Sequence, residues 1–264
     1  MTAGNSSIVV PEKRSIEYLS PPAQVRMAND WFEVANLDHF WVERRFAVTR
    51  ALAGELVFGA AEVAEVGCGS GLLQRQIEDY YKKPVTGFDL NERALKSNIS
   101  RISRVCCYDI HEQAAEFRRR FQLIFLFDVL EHIPEETRFL QSVAYHLAPQ
   151  GKLVLNLPAG QWAFSEYDRA NGHVCRYSID KLRESARAGG FKVQVWTYWG
   201  LPFVPMVAAR KVWLSLKRNP SLAVSTGFDS RSEFLNVVFR ALGRCETLPQ
   251  HFLGTSLLAV LEPR

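Results

Sequence analysis

Val63-Ala-Glu-Val-Gly-Cys-Gly-Ser-Gly-Leu-Leu73 is the stretch on which the fold turns. An apolar run of strand length enters Gly67, Gly69 and Gly71 and leaves into a helical pattern opened by Leu72, Leu73 and Ile77. Glycines at a strand-to-helix turn allow positive φ and let a ligand approach the backbone. The helix start behind them offers free N–H groups and the positive end of a dipole. Eighteen residues beyond Gly71, Val85-Thr-Gly-Phe-Asp89 ends a second apolar run in a carboxylate. An acid there accepts hydrogen bonds from ribose hydroxyls, so the pair describes a site for a nucleoside-containing ligand.

The glycine spacing narrows the ligand. Dinucleotide sites use GxGxxG, whereas this loop reads GxGxG with Glu65 ahead of it inside the strand. A carboxylate repels a pyrophosphate but suits a ligand that carries an ammonium group, and S-adenosylmethionine is such a ligand.

Outward from the loop, apolar runs alternate with amphipathic stretches. Strands are expected over 62–67, 84–89, 103–108, 121–127, 151–157 and 191–199, with a closing strand at 256–261. That alternation predicts an α/β domain with a mainly parallel sheet and helices on both faces. Ser178 before Asp180 and the glycine pair 189–190 bracket one helix by its capping residues. Residues 31–52 are helical in pattern, and residues 1–30, polar and with three prolines, read as a loose N-terminal arm before a single domain over 31–264. Residues 200–251 break the alternation. They hold two amphipathic stretches, 206–217 and 230–243, the second gathering Phe234, Val237, Val238, Ala241 and Leu242 on one face after a Ser230–Glu233 capping pattern. An insertion this long before the last strand reads as a lid or acceptor-binding element.

Composition agrees with a packed globular chain: 264 residues, 47% hydrophobic and 23% charged. The net charge of +4 is too small to imply nucleic-acid binding, and no basic stripe interleaved with aromatics appears. The whole excess falls in residues 201–264, with eight Lys/Arg against four Asp/Glu. There, 205–218 mixes Val207, Trp213, Leu214 and Leu216 with Arg210, Lys211, Lys217 and Arg218. Such a lid suits an acidic or lipid-like acceptor, or weak contact with an anionic membrane surface, or packs on its own domain. The five cysteines form no CxxC pair, the N-terminus lacks a signal-peptide pattern, and no apolar run reaches the roughly 20 residues of a membrane span, so a cytoplasmic location is expected.

Five segments in order resemble the class I S-adenosylmethionine-dependent methyltransferases: Glu65–Gly71, Gly87–Leu90, Cys107–Ile110, Phe127–Pro134 and Leu147–Leu153. The resemblance implies a seven-stranded sheet whose last strand is antiparallel beside the sixth. It implies a cofactor site of Glu65, Gly67, Cys68, Gly69, Gly71, Asp89, Leu90, Asp109, Ile110, Phe127 and Asp128. Asp89 would hold the ribose, Leu90 would lie against adenine and Asp109 would meet its amino group. Phe127–Pro134 also resembles ubiquinone-pathway O-methyltransferases, whose corresponding acid and histidine are linked to a divalent metal. The sequence shows no independent ligand cluster, and no metal ligand is assigned.

Methyl transfer from a sulfonium needs in-line alignment, and a base only when the acceptor must lose a proton. Two groups are candidates for that chemistry. Glu131 and His132 stand just after the fourth strand, with His132 either packing under the cofactor or acting as base, and Glu131 otherwise capping the next helix. Asp168–Tyr177 resembles a D-x-x-x-G-H-x-R-R-Y signature of small-molecule methyltransferases, with Cys175 in place of the first arginine. It offers His173 as general base with Tyr177 or Arg176 as acceptor anchor, or a structural Asp168–Arg176 clamp. Trp31, Phe40 and Trp41 read as core or as a cap over the cofactor. The expectation is methylation of a small or amphipathic acceptor, on oxygen before nitrogen or carbon. A nicotinamide dehydrogenase is disfavoured by the glycine spacing, and a DNA amino-methylase by Asp128-Val-Leu-Glu where its Asn/Asp-Pro-Pro element would stand. A non-catalytic cofactor-binding scaffold remains the rival from another class.

Overall fold

The computed structural model describes residues 15–23, 36–217 and 233–264. Its strands are β1 (Glu17–Tyr18), β2 (Val63–Val66), β3 (Thr86–Asp89), β4 (Val105–Cys107), β5 (Phe121–Phe127), β6 (Leu147–Pro158), β7 (Phe191–Trp199) and β8 (Ser256–Pro263). They form one sheet in the order β1-β4-β3-β2-β5-β6-β8-β7. All neighbours are parallel except β8, which runs antiparallel between β6 and β7. The helices are α1 (Phe40–Gly59), α2 (Leu72–Tyr81), α3 (Glu92–Lys96), α4 (Glu136–His146), α5 (Glu166–Ala170), α6 (Ile179–Ala188), α7 (Val204–Lys217) and α8 (Glu233–Arg244).

β5 explains why the sheet is covered on both faces. Leu123, Phe125 and Phe127 point into a layer with Val48, Val57, Leu73 and Ile77 from α1 and α2. Ile124 and Leu126 point the other way, onto Phe139, Leu140, Val143 and Leu182 from α4 and α6. A strand buried on both sides has no polar face, hence its unbroken apolar run. The helix read from its caps is α6: Ser178 Oγ accepts the Lys181 N–H, and Gly189 closes it.

Three expectations are corrected. The sheet has eight strands rather than seven, because Glu17 and Tyr18 of the supposed loose arm pair in parallel with Cys106 and Cys107. A two-residue strand carries no periodicity for sequence reading to detect. β6 begins at Leu147, not 151, since Leu147 already pairs with Phe121 before an irregularity in the ladder. In α8 the expected inner face is largely turned outward: Val237 is 60% and Leu242 41% exposed. The helix docks on the start of α1 through other residues. Asn236 Oδ1 accepts the Phe40 N–H at 2.8 Å, Phe239 stacks on Phe40 with ring centroids 4.9 Å apart, and Arg240 pairs with Glu43 at 2.8 Å. Ser230 and Trp31 lie outside the described residues, as do the side chains of Lys217 and Phe234. Among the described residues, no helix is long and apolar enough to cross a membrane.

Candidate active site

The carboxyl ends of the parallel strands carry the expected acids. Gly67, Gly69 and Gly71 all have positive φ (77°, 53° and 76°), and a Cβ on Gly67 would lie 2.3 Å from Val129 Cγ2. Asp89 holds this turn: its Oδ2 accepts the Gly69 N–H and its Oδ1 the Asn91 N–H, both at 2.8 Å. Burial raises the Asp89 carboxyl despite those bonds. Asp109, half-buried after β4, accepts the His111 N–H at 2.8 Å. Leu90 is half-buried beside a small cluster of Cys68, Leu95, Val105 and Cys107. Burial drives the Cys68 thiol far above its ordinary value, so it supplies no nucleophile. Ile110 and Phe127 are buried in the core, each 4% exposed, on opposite faces of the sheet.

Two buried groups of opposite charge flank the loop. Glu65 is 4% exposed, and its Oε2 has no hydrogen-bond partner among the described residues. Burial pushes its carboxyl up to about 8, partly offset by the charge of Arg45. Arg45, 7% exposed on α1, also has an unpartnered Nε, while its Nη1 holds Asp128 Oδ2 at 2.5 Å. Asp128 Oδ1 accepts from Asn156 Nδ2 at 2.8 Å, and Asn156 Oδ1 accepts from Trp199 Nε1 at 2.9 Å. Sequence reading missed Arg45 and Asn156. Both fall among ordinary helix and strand residues, with no local motif to mark them.

Past β5 a cavity of about 130 Å³ opens, lined by Asp128, Glu131, His132, Tyr167, His173, Arg176, Trp41 and, from α7, Val207 and Arg210. Arg210 lies over the Tyr167 ring, 4.0 Å from its centroid. Asp168 is fully buried beside this cavity. Burial alone would raise its carboxyl, but the bond from His173 and the charge of Arg176 outweigh that and hold it at about 2. An ionised carboxylate only accepts, so the 3.1 Å contact assigns the proton of His173 to Nδ1 and leaves Nε2 with the free lone pair. Arg176 Nε donates to the same oxygen at 2.7 Å, so the clamp and the oriented histidine coexist.

His132 meets His173 edge-to-face, centroids 4.8 Å apart, and neither His132 nitrogen has a partner among the described residues. Burial, then the neighbouring His173, lowers it to about 4. Glu131 is 1% exposed and not a helix cap: α4 starts five residues later, and the Glu131 Oε2 is unpartnered among the described residues. Burial raises its carboxyl well above the ordinary value, with Asp128 adding to the shift. Ligand atoms of Glu131, His132 and His173 lie within 4.8 Å of one another. A carboxyl group and two imidazoles, with Glu131 Oε2 and both His132 nitrogens unpartnered among the described residues, fit a divalent cation, a cluster that linear spacing of 131–132 and 173 does not reveal. Tyr177 is fully buried, and its hydroxyl donates to Glu136 Oε1 at 2.8 Å, outside the cavity lining.

An open, mainly parallel sheet with an antiparallel strand inserted near its edge, a GxGxG loop at the first crossover and an acid closing the next strand define the class I S-adenosylmethionine-dependent methyltransferases, whose cofactor is S-adenosylmethionine. The chain belongs to the methyltransferase domain family, whose model matches residues 20–195. It is similar to the ubiquinone biosynthesis O-methyltransferase of Xanthomonas oryzae pv. oryzae (strain PXO99A), 30% identical over 113 residues, 40% of this chain and 46% of that protein. The protein of the same name from Idiomarina loihiensis is 30% identical over 112 residues, covering 38% and 45%. The chain thus spans less than half the length of these curated relatives. Among solved structures, a putative sarcosine dimethylglycine methyltransferase from Galdieria sulphuraria matches at TM-score 0.55 and 16% identity, over 88% of this chain and 95% of that one. The Haemonchus contortus phosphoethanolamine N-methyltransferase 2, solved with S-adenosylmethionine, matches at TM-score 0.53 and 16% identity, over 86% and 56%.

Proposed function

We propose that the chain, with β1 as part of its sheet, acts as one methyltransferase unit that moves the methyl group of S-adenosylmethionine to an oxygen of a small or amphipathic acceptor. The observation that carries the reading is the ionised Asp168 holding His173 by Nδ1, with Nε2 free beside a cavity past β5. A base so oriented is needed for a hydroxyl and superfluous for a neutral amine. The names of the Xanthomonas and Idiomarina relatives also favour oxygen.

In the cofactor half, Asp89 takes the ribose hydroxyls, and Asp109 and Leu90 the adenine. Glu65 and Arg45, opposite in charge and each with an orphaned atom, take the ammonium and carboxylate of the methionine end. In the acceptor half, His173 Nε2 removes the hydroxyl proton while the oxygen attacks the methyl carbon. The carbon–sulfur bond breaks, and the thioether leaves neutral. Asp168 stabilises the imidazolium that forms. Trp41, Val207 and Tyr167 exclude water, and α7 supplies the lid.

A second reading is favoured by the cluster of Glu131, His132 and His173. These three residues would hold a divalent cation, which when bound supplies Lewis acidity to the acceptor hydroxyl in place of a base.

Mass spectrometry of candidate extracts for a 14 Da gain identifies the acceptor. Calorimetric titration with S-adenosylmethionine and its demethylated product tests the cofactor half. Binding of neither ligand refutes the reading, and turnover that is lost to a chelator and restored by added magnesium or zinc selects the metal-assisted version.

A further inference from the structure

Glu17–Ala23 is docked at the adenosine end of the site by contacts that a two-residue strand does not require. Arg104 grips Glu17 from Nε at 2.8 Å and Nη2 at 2.6 Å, tying the strand to the sheet edge. Past the strand the chain stays on the sheet. The N–H groups of Leu19 and Ser20 both donate to the Cys107 carbonyl, at 2.9 and 3.0 Å, and that of Ala23 donates to the Leu90 carbonyl at 3.0 Å. Ser20 is 5% exposed, and its Oγ accepts the Asp109 N–H at 2.8 Å. Ile16 packs beside Leu90 on the cluster that contains Cys68 of the glycine loop.

The segment therefore crosses the carboxyl ends of β4 and β3. Its last contacts fall past the paired strands, on backbone atoms of Leu90 and Asp109. Asp109 opens the short turn Ile110–Glu112, and the bond to Ser20 fixes the amide from which that turn and the carboxylate start.

We propose that Glu17–Ala23 is the outer wall of the adenosine half of the cofactor site, and that Ser20 is a positioning residue that sets Asp109 for adenine. This rests on the reading of the glycine loop as an S-adenosylmethionine site. Neither Glu17 nor Ser20 touches the methionine end, so losing either weakens the adenosine contacts alone.

The test is calorimetric titration of the full chain with S-adenosylmethionine and with methylthioadenosine, which keeps the adenosine and lacks the amino-acid end, alongside thermal melting. Ser20→Ala and Glu17→Ala are expected to raise Kd for both ligands by the same factor, about three- to ten-fold. Ser20→Thr, which keeps the hydroxyl, restores both affinities, and Ser20→Ala melts within a few degrees of wild type. Wild-type affinity in both alanine variants overturns the proposal. So does a loss confined to S-adenosylmethionine that spares methylthioadenosine. If the unaltered chain binds neither ligand, the cofactor reading itself fails, an outcome distinct from failure of the variants alone.

Discussion

At the scale of single residues, the site is governed by which buried groups have partners. His173 is oriented by an ionised Asp168, whereas His132, 4.8 Å away, has none among the described residues. That difference is why the proposed base is His173 rather than His132. His173→Ala is expected to lower turnover by about 10²-fold or more and leave S-adenosylmethionine affinity unchanged; a near wild-type rate rules the base out. Glu65, raised to about 8, is mostly protonated at pH 7 in the free protein. An incoming ammonium favours the ionised form, so cofactor binding at pH 7 should release about one proton. Calorimetry in two buffers of different ionisation enthalpy measures it, and Glu65→Gln should abolish the release. Arg45→Met should weaken S-adenosylmethionine about ten-fold or more while sparing methylthioadenosine, because only the amino-acid end carries the carboxylate.

At the scale of elements, α1 is the joint of the molecule. Its start is capped from far along the chain by Asn236 of α8, and Phe40 packs among Phe203 and Phe239. One position on, Trp41 stacks on Trp199 at 4.4 Å and lines the acceptor cavity. One turn further, Arg45 reaches Asp128. The same helix thus meets α8 at one end and Asp128, at the end of β5, in its middle. Replacing Asn236 by alanine removes the Phe40 cap and should cost about 1 kcal/mol, read as a shifted denaturant midpoint at constant slope. How legible an element was depended on how local its cause is. β5 and α6 were readable because burial on both faces and capping residues write themselves into adjacent positions. β1 and the docking face of α8 were not. A two-residue strand has no period, and the apolar stripe of α8 is not the side that Asn236, Phe239 and Arg240 turn to α1.

For the whole molecule, the buried acids and histidines set opposing pH limits. His132, lowered to about 4 in the fold, is protonated more readily when unfolded. Its contribution is therefore fully present above about pH 6.5 and is lost as pH falls toward 4. Glu65 runs the other way: its raised value contributes below about pH 4.5 and is lost as pH rises toward 8. Melting temperature of the free protein should therefore decline on both sides of weakly acidic pH. Cofactor at one hundred times its pH 7 Kd adds about 2.7 kcal/mol there, and at that same concentration the added stability should grow toward alkaline pH, where Glu65 is already ionised. A cofactor-induced shift that shrinks between pH 6 and 8 contradicts this assignment.

The amino-acid sequence alone determined the α/β class, the glycine turn, the order of the acids at the strand ends and the family. Each of these is written in neighbouring residues by burial period, φ requirement or short spacing. Only the tertiary structure decided which side chains share the cavity past β5. It joined His173 to His132 and Glu131, turned Tyr177 inward to Glu136, brought Arg45 beside Glu65 and folded Glu17–Ala23 across the carboxyl ends of β4 and β3. Those pairings depend on where strands and helices meet after the sheet closes, and that geometry leaves no trace in the spacing along the chain.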